Sequence, residues 1–147
     1  MKKKLLALLA IGGVSVAASH SLGSRPEVDA DSPLAPCGSD PNCSRLSRAI
    51  AMDAETVRRV AEAAVRSDRG LFTGSVDELS LTGGGLRASY RVGPFTDDLA
   101  LEVTEGADGG SVLHLRSASR MGRSDLGVNR RRLDRLVADI VARLGGA

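Results

Sequence analysis

The chain has 147 residues, 42% of them hydrophobic, yet it holds two Phe, one Tyr and no Trp. That length bounds it to one domain, whose core must be built from Leu, Val, Ile and Ala. The formal charge of +2 comes from Lys2, Lys3 and Lys4; beyond them 17 Arg face 18 Asp and Glu, which excludes a globally basic nucleic-acid binder.

The three lysines precede an apolar run, Leu5–Ala18, that ends in the small residues Ala17, Ala18 and Ser19. A positive stretch, an apolar stretch and a small-residue site in that order read as a secretory signal peptide over residues 1–18. An uncleaved membrane anchor over residues 5–22 is the alternative, because that span is just long enough to cross a bilayer. Either reading implies export, to a periplasmic or extracellular location. Residues 19–44 are rich in Ser, Pro, Gly and Asp without sustained periodicity, and read as a flexible tether. The folded domain is expected over residues 45–147.

Cys37 and Cys43 are the only cysteines. In an oxidising compartment they can form a disulfide, and the Pro and Gly between them suit a loop that brings the sulfurs together. A metal centre would need further ligands, and His20 and His114 are distant in sequence. A redox pair normally shows the tighter Cys-x-x-Cys spacing. No metal and no cofactor are expected.

Asp53 is a good helix N-cap with Glu55 in the first turn. Val57, Val60, Ala61, Ala64 and Val65 recur at helical spacing, so a helix is expected over 53–67. Four strands are expected next. Val76, Leu79 and Leu81 lead to the turn Gly83-Gly84-Gly85. Leu86, Ala88, Tyr90 and Val92 alternate with polar residues, as do Leu99, Leu101 and Val103, then Leu113 and Leu115. Simple hairpins would set Arg91 opposite Asp98, Arg87 opposite Glu102, and Glu102 opposite His114. One face would then carry opposite charges and the other apolar pairs. Leu133, Leu136, Val137, Ile140, Val141 and Leu144 form the stripe of a C-terminal helix, with Asp125 or Asn129 as its cap. The expected fold is α+β: a two-layer sandwich of a four-stranded antiparallel meander with two helices on one face, in the order α-β-β-β-β-α.

Charge is segregated along the chain. Asp97, Asp98, Glu102, Glu105 and Asp108 lie together without a base, whereas residues 116–135 hold seven Arg against Asp125 and Asp134. The segment from Arg116 to Arg132 is the densest in side-chain donors. Arg116, Arg120 and Arg123 with Ser117, Ser119 and Ser124 could surround an anion through forked, charge-assisted donors, helped by the N–H groups at a helix start. The other reading is a polar corner in which Asp98 and Asp125 neutralise Arg116 and Arg120. Arg130, Arg131 and Arg132 could touch an anionic membrane surface, or form a solvated helix face balanced by Asp134. Asp97 and Asp98 are adjacent, so on a strand they point to opposite faces and make no ready acid–base pair. His114 shares strand parity with Arg116, not with Ser117 or Ser119, and reads as a solvent-face residue beside Glu102.

The run Arg116-Ser117-Ala118-Ser119-Arg120-Met121-Gly122-Arg123-Ser124-Asp125-Leu126-Gly127-Val128-Asn129-Arg130-Arg131-Arg132 resembles the hallmark of the domain-of-unknown-function family 1499. Pro36-Cys37 through Pro41-Asn42-Cys43 resembles that family's entry motif, and Phe95-Thr96-Asp97-Asp98 its Phe-Val-Asp-Asp strand, with Thr96 in place of Val. The resemblance spans roughly residues 36–144. It implies an exported or membrane-associated bacterial protein with plastid relatives, and it carries no agreed activity. Ser44-Arg45 departs from the Val-Ser-Ser of relatives.

These readings converge on an exported or membrane-tethered module, non-enzymatic, with ligand-binding candidates Asp97, Asp98, Arg116, Ser117, Ser119, Arg120, Ser124, Asp125, Asn129 and Arg132. The expected partner is a small anionic ligand or an envelope protein, with an anionic membrane surface as a further candidate and no nucleic acid, since stacking aromatics are scarce. The alternative is an enzyme acting on an anionic substrate, with Asp98 or Asp125 as base and arginines as clamps.

Overall fold

The computed structural model describes residues 31–145. The signal-peptide or anchor reading of residues 1–22, with His20, lies outside the described residues. Strand β1 (Cys43–Ile50) precedes helix α1 (Ala54–Ser67). Strands β2 (Arg69–Gly70), β3 (Gly74–Leu81), β4 (Gly85–Val92), β5 (Phe95–Glu105) and β6 (Ser111–Ser119) follow, and helix α2 (Val128–Gly145) closes the fold.

The α+β class stands, but the expected four-stranded meander in the order α-β-β-β-β-α is corrected. One antiparallel sheet holds six strands in the order β1-β6-β5-β4-β3-β2, curled into a half-barrel beside the two helices. β1 pairs with β6 over its whole length, from Cys43 opposite Ala118 to Ile50 opposite Ser111. Its sequence hides it for a physical reason. β1 lies at the sheet edge, so only Leu46 is fully buried and Arg48 and Ala49 are exposed. The alternation that marks a half-buried strand is therefore missing. β2 is two residues long, too short for any periodicity.

The elements that were expected form for the expected reasons. Asp53 caps α1 by accepting from the Thr56 amide at 2.9 Å. This charge-favouring bond, made with the backbone N–H of Thr56, lowers the Asp53 pKa below the ordinary carboxylate value. Val57, Ala61, Ala64 and Val65 turn inward from α1, and Leu133, Leu136 and Ile140 from α2. They pack on Leu46, Leu86, Tyr90, Leu99, Leu101, Val103, Leu113 and Leu115 of the sheet. Fully burying each large aliphatic side chain stabilises the fold by about 1.5–3 kcal/mol before conformational entropy is counted.

The β5–β6 register places Glu102 opposite His114 and Leu101 opposite Leu115, as the alternation predicts. The β4–β5 register is corrected by two residues: Arg91 faces Thr96 and Arg87 faces Ala100. The cause is the turn. Gly93 at φ 59° and Pro94 alone connect Val92 to Phe95, where a longer loop was expected. Glycine with positive φ at the first of two central positions suits a type II′ hairpin. A two-residue shift preserves the faces. Arg87 still reaches Glu102 diagonally at 2.8 Å, while Arg91 pairs with Asp77 at 3.0 Å.

Candidate functional site

The strand β6 splits the arginine–serine segment between two faces. Ser117 and Ser119 point toward the helices, and Arg116 and Ala118 toward the helix-free side. Residues 120–127 then turn the chain, with Gly122 and Gly127 at positive φ, into the first turn of α2.

On the helix side a connected polar network fills the corner. Arg132 has no solvent exposure. Its guanidinium donates to Asp97 Oδ2 at 2.8 Å, the Thr73 carbonyl at 2.6 Å, Ser117 Oγ at 2.8 Å and Asn129 Oδ1 at 2.8 Å. It also lies 4.2 Å from the centre of the Tyr90 ring, a cation–π contact. Ser117 donates to Asn129 Oδ1 at 2.5 Å. The Asn129 amide donates to Ser119 Oγ at 3.0 Å, Asp125 Oδ2 at 2.7 Å and the Asn42 carbonyl at 3.1 Å. Asp125 in turn accepts from the Gly127 and Asn129 amides at 2.8 and 2.9 Å, so it occupies the anion position at the start of α2. Beneath the network the Tyr90 hydroxyl donates to Asp68 at 2.9 Å, and Arg135 grips Asp68 with two bonds of 2.8 Å. Burial first, then the Asp68 charge, push the Tyr90 phenol well above its ordinary value, and the Asp68 bond raises the Arg135 pKa.

The helix-free side differs. Arg120 forms three bonds of 2.8–3.1 Å with Asp98 in an exposed pair, and that bond raises the Arg120 pKa. A groove of about 620 Å³ runs beside it, lined among others by Leu34, Arg87, Asp98, Arg116 and Arg120. The segment before β1 forms one wall. Leu34 is buried, its carbonyl accepts from Arg45 at 2.8 Å, and Cys37 is joined to Cys43. Arg116 sits in this groove opposite Arg45 of β1. Its Nε is buried without a hydrogen-bond partner, and Arg116 makes no ion pair among the described residues. His114 lies on the same face but is buried, not solvated, between the Ser47 and Thr104 hydroxyls at 2.8 and 3.0 Å.

The ten candidates therefore separate. Asp97, Ser117, Ser119, Asp125, Asn129 and Arg132 share the buried network. Asp98, Arg116 and Arg120 line the groove, and Ser124 lies in the loop, where its hydroxyl accepts from the Leu126 amide at 3.3 Å. Of the triple-arginine stretch, Arg130 pairs with Asp134 at 2.9 Å while Arg132 points into the core. Sequence reasoning missed Tyr90, Asp68, Arg135, Thr73 and Asn42. A lone Tyr at an apolar strand position was a signal, since a buried phenol needs a hydrogen-bond partner. The partners lie 22 and 67 residues away from Asp68 in sequence, so nothing local identifies them.

A second opening, about 520 Å³, lies where the loop 120–127, the Gly93-Pro94 turn and the β2–β3 loop meet. Leu71, Phe72, Phe95, Met121 and Leu126 border it. They are five of the seven large hydrophobic side chains exposed among the described residues.

Among the described residues no group of three or more His, Cys, Asp or Glu could hold a metal ion, and no helix is long and apolar enough to cross a membrane. The sequence model of the family described as "Protein of unknown function (DUF1499)" matches residues 33–140. No curated protein matches the chain.

Proposed function

From the premise that the chain belongs to the DUF1499 family, we propose that it is a non-enzymatic binding module, exported to an oxidising compartment, that takes a small anionic ligand in the groove on the helix-free face. One observation carries this reading: Arg116 is half-buried in the groove, and its Nε has no acceptor. The other arginines held near it are committed, Arg120 to Asp98 and Arg87 to Glu102. A guanidinium removed from water normally has a planar acceptor. The buried network does not serve as the anion site in this reading, because both terminal nitrogens of Arg132 are bonded within the fold, to Asp97, Thr73, Ser117 and Asn129, the residue has no solvent exposure, and Asp125 fills the helix start. Neither candidate base is unencumbered: both Asp125 oxygens accept hydrogen bonds within the buried network, and Asp98, at the groove, is clamped by Arg120. The Cys37–Cys43 bridge supports an oxidising compartment.

Thermal stability in the presence of inorganic phosphate, pyrophosphate and small dicarboxylates tests the proposal, with sodium chloride at matched ionic strength as the control. An anion at about a hundred times its Kd should stabilise the wild type by about 2.7 kcal/mol, and Arg116→Gln should abolish the response. Equal responses in both proteins, or none beyond that of sodium chloride, would refute it.

A further inference from the structure

The apolar end of the sheet lies outside the groove. Three connections meet there: Leu71 and Phe72 after β2, Phe95 after the Gly93-Pro94 turn, and Met121 to Leu126 after β6. Leu71 is 90% exposed, Leu126 84% and Phe72 73%. Side chains that clasp a small molecule shield one another; these project into water. Solvent-exposed apolar residues gathered in one patch mark an interaction surface.

Charge indicates what that surface meets. Exposed Arg69 and Arg123 flank the tips, and Arg131 is held beside them by a bond to the Leu126 carbonyl at 3.0 Å. The tips carry no exposed carboxylate: Asp97 is buried, and Asp125 is turned under to cap α2. Four exposed acids, Asp53, Glu55, Glu105 and Asp108, lie at the opposite ends of the strands, around the α1 start and the β5–β6 connection, while exposed Asp40, Asp77 and Asp134 lie outside the three tip connections. An apolar tip flanked by Arg69, Arg123 and Arg131, whose own connections present no exposed carboxylate, complements an anionic lipid surface: the apolar residues enter the headgroup boundary and the arginines meet the phosphates.

We propose that Leu71, Phe72, Phe95, Met121 and Leu126 form a docking tip that inserts into an anionic membrane surface, independently of what the groove binds. The full-length chain has no Trp, so a single introduced indole reports on its own loop whatever the rest of the chain does. Phe72→Trp and Leu126→Trp place the probe at the tip. Leu81→Trp places it at an exposed site on the β3–β4 turn, at the other end of the sheet. Each is mixed with phosphatidylcholine vesicles, with and without phosphatidylglycerol, carrying brominated acyl chains.

The expected result is a blue shift and quenching at positions 72 and 126, dependent on phosphatidylglycerol, with position 81 unaffected. Arg69→Gln and Arg123→Gln should each lower partitioning about fivefold. No quenching at the tip overturns the proposal, as does equal quenching at position 81. A tip blue shift that grows with protein concentration in the absence of vesicles also overturns it, and assigns the surface to a second copy of the chain.

Discussion

Arg132 and Arg120 belong to the same seventeen-residue motif and face carboxylates one position apart, yet burial gives them different energetics. The Arg132–Asp97 pair is fully enclosed, at 0% and 3% side-chain exposure. Removing one partner strands the other without water, which costs about 3–5 kcal/mol. Arg132→Met should therefore lower the urea unfolding free energy by that amount, whereas the double variant Arg132→Met/Asp97→Leu should recover much of the loss. Arg120→Ala, at the solvated Asp98 pair, should move the midpoint little, since water and salt screen such pairs. Tyr90 adds a pH dependence. Its folded pKa lies above the ordinary 10.0, so the folded state keeps a proton that the unfolded chain releases. The stability contributed by Tyr90 is whole below pH 10 and drains away as the pH rises, by about 1.4 kcal/mol for each unit. A Tyr90→Phe variant should show a shallower alkaline decline in chemical denaturation. At this scale the sequence exposed the donors but not their pairing. Asp97 and Asp98 were legible as opposite-facing neighbours; which arginine each would meet depended on α2 folding back over the sheet.

Elements were legible where one face is buried and the other wet. Both helices and the strands β3 to β6 announce themselves by period, and the β5–β6 register follows from matching apolar rows. β1 escaped because an edge strand with one buried leucine has no alternation to show. The β4–β5 register slipped by two because Gly93-Pro94 makes a tighter turn than the four residues around it suggest. β1 begins at Cys43, and the bridge to Cys37, six residues away, ties the preceding segment to it. Such a short loop gains little closure entropy. Replacing both cysteines by serine should cost about 2 kcal/mol, read as a lower urea midpoint that matches the wild type under reductant. Because the bridge also holds the Leu34 wall of the groove, the same variant should weaken any anion response.

For the whole molecule, one continuous motif serves three surroundings. Ser117, Asn129 and Arg132 lock α2 to the sheet; Arg116 lies in the outer groove; Met121 and Leu126 project from the end. Read linearly, the motif looks like one site. Strand alternation and a sharp turn distribute it, and that distribution is invisible until the sheet and α2 are placed together.

Leu126 shows what such an arrangement demands of a single position. Its φ is 53°, a left-handed conformation that costs a side-chain-bearing residue about 1–2 kcal/mol relative to glycine, and its side chain gains nothing from the core. A position chosen only for folding would hold glycine. Leu126→Gly should accordingly raise the melting temperature while weakening vesicle attachment, so that durability and adhesion pull this one residue in opposite directions.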